Sequence, residues 1–173
     1  MEETPVYLND NAVLLASQGL HAEAIACLHK GLLIEPHNAT LWFNLALSYH
    51  ALGKRQDSCD ALFQAAKNKP VDVDILDTLG VVLHELGEDA AAEECYKNAL
   101  DLSPGNGRVW NNYGVLQFSQ SRFNEAAKSF EKAVTLIPEL DDALYNLRDT
   151  YEELGKTAEK EKCAGILAKR GQV

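Results

Sequence analysis

PHNATLWFNLALSYHALGK, residues 36–54, decides the fold. Trp42, Leu45, Ala46 and Tyr49 fall at i, i+3, i+4 and i+7, which makes one apolar face of a helix. Phe43 and Leu47 point elsewhere, and Asn44 sits between them in mid-helix, where its side chain competes for the backbone. The stretch returns twice. PVDVDILDTLGVVLHELGE occupies 70–88 and PGNGRVWNNYGVLQFSQSR occupies 104–122.

Pro36, Pro70, Pro104 and Pro138 stand 34 residues apart, and only Pro5 falls off this ruler. Internal periodicity of that length is the mark of a repeat architecture. Counting from the third residue after each proline gives a register for the chain. Large side chains hold the fourth slot (Leu8, Trp42, Leu76, Trp110, Leu144) and the twenty-fourth (Leu28, Leu62, Tyr96, Phe130). Small ones hold the twentieth (Ala24, Ser58, Ala92, Ala126) and the twenty-seventh (Gly31, Ala65, Ala99, Ala133), where two helices approach closely. The fifteenth slot holds Gly19, Gly53, Gly87, Ser121 and Gly155, and glycine there ends a helix in the left-handed region at little cost. Proline stops the second helix, and Asn38, Asp72 and Asn106 are placed to cap the next one. The unit is helix, tight turn, helix, short loop.

This unit resembles the tetratricopeptide repeat, and the resemblance covers nearly the whole chain. It implies an all-α fold, an α-α superhelix or solenoid of about five helix-turn-helix repeats of 34 residues. The expected repeats are 5–38, 39–72, 73–106, 107–140 and 141–170, within one domain over 1–173. The end copies depart from the pattern: Asn11 replaces an expected leucine, and Arg148 and Lys160 stand where small residues are usual. Residues 158–170 read as a solvating closing helix, because stacked repeats need ends without bare apolar surface. Alternatively, Arg148 loosens the last pair. Residues 171–173 read as a frayed tail.

The resemblance also implies that first helices line a concave groove, through the second, fifth, sixth, ninth and twelfth slots. The sixth slot is Asp10, Asn44, Thr78, Asn112 and Asn146, all short and polar where helix propensity disfavours them. An amide offers a donor and an acceptor. First helices about 10 Å apart would meet an extended peptide, rising roughly 3.3 Å per residue, about every third position. These asparagines therefore grip a peptide backbone, or else they are repeat consensus without a ligand. Phe43, Leu47, Val81, Val115, Phe118 and Tyr145, with Val13, add an apolar strip, and Asn111 and Asp77 lie beside it. His50 and His84 share the twelfth slot and read as peptide donors or plain surface residues before metal ligands. Of the basic and amide residues with which the family's best-known clamp holds a terminal carboxylate, only Asn44 is matched. Asn9, Val13, Asp74 and Thr78 stand in the other places, so a carboxylate pocket is not expected in the first three repeats.

The chain carries a net charge of −10, which disfavours nucleic acid and anionic membrane surfaces as partners. Residues 71–104 hold nine acids and one base, so a basic or neutral protein segment suits the third repeat. Arg108 is the main opposing charge on the groove face. Four well-spaced cysteines without CxxC read as small helix residues in a reducing compartment. The acidic start MEETPVYL lacks the basic and apolar regions of a secretory signal, so a cytoplasmic protein is expected if Met1 is the native start. No phosphate loop, HExxH or GxSxG occurs. The expectation is a non-enzymatic interaction scaffold without cofactor, metal or catalytic residues, which binds an extended or helical segment of a partner. The alternatives are a homo-oligomerising assembly module, or the repeat portion of a larger enzyme.

Overall fold

The computed structural model describes residues 3–171. Met1 and Glu2, from the acidic start, and Gln172 and Val173, from the tail expected to fray, lie outside the described residues. The described residues form ten helices and no strand: α1 (Pro5–Ser17), α2 (His21–Ile34), α3 (Ala39–Ala51), α4 (Arg55–Asn68), α5 (Val73–Glu85), α6 (Asp89–Leu102), α7 (Gly107–Ser119), α8 (Phe123–Leu136), α9 (Asp141–Glu153) and α10 (Thr157–Arg170). None is long and apolar enough to cross a membrane.

The start and stop signals recur as the sequence spaces them. The side chains of Asn38, Asp72 and Asn106 accept hydrogen bonds from backbone N–H groups in the first turns of α3, α5 and α7. Thr4 does the same for α1, whereas Leu140 before α9 has no side-chain cap. Gly19, Gly53, Gly87 and Gly155 take φ between 67° and 82° at the tight turns. After each, a backbone N–H returns five residues to the first helix of the pair: Leu20 to Leu15, Lys54 to Tyr49, Glu88 to Leu83 and Lys156 to Tyr151. These are glycine-ended helix stops of the Schellman kind. Ser121 keeps the same geometry at φ 58° without glycine's freedom, and Arg122 N–H returns to Gln117.

The chain forms two compact units, Met1–Ala92 and Glu93–Val173, with the division inside α6. In the first, α2 packs on α1 and α3, and α4 packs on α3 and α5. Leu8, Leu28, Leu41, Leu45 and Leu62 are at most 2% exposed. Ala24, Ala46 and Ala65 are fully buried between them, and Ser58, fully buried in the same role, donates its hydroxyl to Ala46 O at 2.9 Å. In the second unit, α8 packs on α7 and α9, and α10 packs on α9. Phe130, Leu144, Leu147, Tyr151, Cys163 and Leu167 form one cluster. Gly114 is required there, because a Cβ at that position would stand 2.6 Å from the buried Phe130 ring.

Two placements differ from a simple core reading. Trp42 and Trp110 are half-buried, and each donates its indole N–H to the carbonyl of the ruler proline six residues earlier, at 2.8 and 2.9 Å. They tie the loop as well as fill space. The closing helix begins one residue earlier than expected and buries only Cys163 and Leu167. Arg170 ties it back, donating to Pro138 O at 2.7 Å and pairing with Asp141. Arg148 lies 5.1 Å from the Tyr145 ring centroid and pairs with Asp149 at 2.7 Å, while Lys160 pairs with Glu152. The four cysteines are in no disulfide, two being buried and two half-buried. Burial is the first cause raising the Cys59 and Cys163 thiols above their ordinary pKa.

Candidate functional site

In the first unit, the sixth-slot asparagine makes a contact that its period alone does not reveal. Asn44 Nδ2 on α3 donates to Asn9 Oδ1 on α1 at 2.7 Å. Residues 35 apart therefore pair: the sixth slot of one repeat with the fifth of the repeat before. Beside this pair lies a pocket of about 420 Å³ lined by Val13, His21, Asn44, Leu47 and Ser48, among others. Val13 and Leu47 are 49% and 42% exposed, so the apolar wall is open. Ser48 returns its hydroxyl to Asn44 O, and the buried His21 Nδ1 has no hydrogen-bond partner among the described residues.

The remaining first-unit candidates are spread out. Phe43, Asp77 and Val81 are half-buried. Thr78 spends its hydroxyl on Asp74 O of its own helix at 2.8 Å, so it does not continue the amide pattern. His50 Nε2 lies 2.9 Å from Glu85 Oε2, which also accepts from Arg55 Nε at 2.9 Å. His84 Nδ1 instead lies 2.7 Å from Asp89 Oδ1. The two histidines thus serve different carboxylates.

In the second unit the amide pattern returns. Asn146 Nδ2 on α9 donates to Asn111 Oδ1 on α7 at 3.1 Å, and Asn111 Nδ2 reaches Asn112 Oδ1 at 3.4 Å. Here too an apolar pocket adjoins the asparagine, about 290 Å³ in volume and lined by Val115, Phe118, Phe130, Asn146 and Asp149. Val115 and Tyr145 are 38% and 45% exposed, and Phe118 packs edge-on against Phe123. Arg108 is exposed in the first turn of α7.

One strongly perturbed carboxylate lies outside these candidates. Glu93 is held at about 2, first by the Lys97 ammonium and then by hydrogen bonds from Tyr113 and Arg122, against the opposing effect of burial. Tyr113 and Tyr151 are pushed up, first by burial and then by the carboxylates of Glu93 and Glu131 that their hydroxyls donate to. Asn9, His21 and Ser48 lie at the site without having been singled out as binding residues. The signal for Asn9 was in the sequence, as an asparagine 35 residues before Asn44, repeated by Asn111 and Asn146.

The family model for the tetratricopeptide repeat matches residues 9–73 and 78–141. The chain belongs to the tetratricopeptide repeat family. Among curated relatives, the type IV pilus assembly protein PilF of Pseudomonas aeruginosa is 31% identical over 120 residues, covering 68% of this chain and 48% of PilF. The BBSome complex member BBS4 homolog of Drosophila melanogaster is 26% identical over 132 residues, covering 76% of this chain and 27% of that protein. The chain therefore spans about half the length of the first of these relatives and about a quarter of the second. Among solved structures, P. aeruginosa PilF aligns with TM-score 0.88 at 18% identity over 95% of this chain and 75% of PilF. A crystal structure of MamA aligns with TM-score 0.85 at 19% identity, over 94% of this chain and 97% of MamA. These likenesses establish the all-α solenoid fold. It is typically that of a protein-interaction scaffold, and the names of the two curated relatives place them in assemblies.

Proposed function

We propose that this chain is a non-catalytic scaffold that docks an extended or helical segment of a partner protein on the concave faces of its first helices. One observation carries the reading. Each unit presents an open apolar pocket bordered by a sixth-slot asparagine already fixed by its neighbour, Asn44 by Asn9 and Asn146 by Asn111. An apolar wall with a few fixed polar groups suits a side chain of a bound segment, with the amide left to meet its backbone. Leu47 and Val13 line one pocket; Val115, Phe118 and Asp149 line the other. Phe43, His50, Asp77, Thr78, Val81, His84, Arg108, Asn111, Asn112 and Tyr145 flank them in the same reading. It treats 1–173 as one binding domain acting in the cytoplasm, with the helix near 158–170 as its cap. The acids of 71–104 and Asp149 favour a basic or neutral segment over an acidic one.

The test is an array of extended synthetic peptides alternating lysine with leucine, beside arrays with glutamate for lysine. The lysine peptides are expected to bind. Leu47→Asp and Val115→Asp, both at exposed positions, are each expected to weaken binding about tenfold or more. Preference for the glutamate peptides, or undiminished binding by a variant carrying both substitutions, would overturn the proposal.

A further inference from the structure

The two tryptophans share one register position and one anchor. Trp42 Nε1 donates to Pro36 O and Trp110 Nε1 to Pro104 O, so both indoles are held alike on the side of their helix away from the asparagines. Their surroundings then diverge. Over Trp110 stands a cation from its own repeat, with Lys132 Nζ 4.5 Å from the ring centroid. The residue at the position of Lys132 in the Trp42 repeat is Gln64, which carries no charge.

The charges around the two rings also diverge. In the Trp110 repeat, Glu125 is neutralised by Arg122, and the next position along that face is Lys128. The corresponding positions in the Trp42 repeat are Asp57 and Asp60. Among the described residues neither forms an ion pair, and Asp60 accepts only from the neutral amide of Gln56 at 3.0 Å. Both carboxylates line a pocket of about 560 Å³ with Trp42, His29, Tyr49 and Gln64, formed between α2, α3 and α4. His29 Nε2 and Tyr49 Oη, both lining it, lie 3.0 Å apart. Burial is the first cause raising the Tyr49 phenol above its ordinary pKa, and the nearby charge of Asp57 is the second. Lys54 lies 5.8 Å from the Tyr49 ring, as Lys156 lies 5.7 Å from Tyr151 in the last repeat, so this contact belongs to the tyrosine.

The indole face that one repeat covers with its own ammonium is therefore left, in the other, beside two carboxylates with no cation of their own. We propose that the Trp42 pocket is a docking site for a lysine or arginine side chain of a partner protein. The incoming cation takes the place that Lys132 holds over Trp110. The ring quadrupole attracts it from one side, with tryptophan the strongest of the aromatic faces, and Asp57 and Asp60 attract it from the other. The pocket lies on a different side of α3 from Asn44 and Leu47, so this inference stands apart from the groove reading.

The test uses the full isotope-labelled chain and follows its two indole N–H resonances by NMR. The probes are the acetylated and amidated tripeptides Gly-Lys-Gly, Gly-Arg-Gly and Gly-norleucine-Gly. The lysine and arginine probes are expected to shift the Trp42 resonance in the millimolar range while leaving Trp110 in place, and their relative strength identifies the preferred cation. The norleucine probe is expected to do neither. Gln64→Lys supplies the missing lysine from within and is expected to abolish the response without lowering the melting temperature. Asp57→Asn and Asp60→Asn are each expected to weaken the probe by up to about fivefold, and Leu47→Asp is expected to leave it unchanged. Four results would overturn the proposal: no response in the millimolar range, an equal response to norleucine, equal shifts at both indoles, or undiminished binding by Gln64→Lys.

Discussion

Replacing Glu93 by glutamine tests the electrostatic reading of the second unit. The carboxylate lies 2.9 Å from Lys97 Nζ, accepts from Tyr113 Oη at 2.9 Å, and accepts from Arg122 at 3.1 Å. Its pKa falls from the usual 4.5 to about 2 in the folded chain. A folded pKa below the unfolded one means that the fold favours the charged form. The stabilisation is fully present above the unfolded value of 4.5 and is lost as the pH falls toward about 2. A shift of that size corresponds to about 3 kcal/mol. Lys97 is 59% exposed, so solvent screens its share, and a working figure is about 2 kcal/mol. Glutamine keeps the shape and removes the charge. In urea titrations near pH 7, Glu93→Gln is expected to be less stable by about 2 kcal/mol, with less than half of that gap remaining near pH 3. A gap of the same size at both pH values would refute the reasoning, and so would equal stability at neutral pH.

Four further perturbations test the packing and the turns. Gly114→Ala places a methyl 2.6 Å from the Phe130 ring; overpacking of about 1–3 kcal/mol should outweigh the helix gain of about 1 kcal/mol, and thermal melting should fall. Gly165→Ala, also in a helix but with nothing within 4 Å of the new methyl, should instead raise stability by up to about 1 kcal/mol. Melting shifts of the same sign in both variants would contradict this account. Ser121→Gly relieves a left-handed residue that costs roughly 1–2 kcal/mol, and should stabilise modestly against chemical denaturation, since the four sister turns already use glycine. Asn146→Ala removes the bond to Asn111 and should cost about 1 kcal/mol in melting; an unchanged melt would show that the amide pair contributes nothing to the fold.

The fold was legible because its signals are local and periodic. The capping asparagines, the turn glycines and the prolines act within a few residues of themselves, so 34-residue spacing sufficed to read an all-α chain of paired helices, and the described residues form ten. The candidate site was less legible. A mid-helix asparagine reads the same whether it faces a ligand or the helix of the repeat before, and period alone cannot choose between them. Asn44 and Asn146 already spend a donor on Asn9 and Asn111. The same holds for His50 and His84, which share a slot yet meet Glu85 and Asp89, because the carboxylates within reach differ from one repeat to the next. The indole bond to the proline carbonyl was readable in retrospect, since proline precedes tryptophan by six residues on both occasions.

That indole bond has a practical consequence. Trp42 and Trp110 are the two tryptophans of the chain, and they fall one in each compact unit. Each is anchored to its own loop, so each is a native fluorophore reporting on one unit. Arrays of repeats whose contacts are mainly between neighbours need not lose structure all at once. With Trp110 or Trp42 replaced by phenylalanine, emission from the remaining indole would follow one half of the chain alone. The molecule thus carries its own pair of optical probes for asking which half opens first.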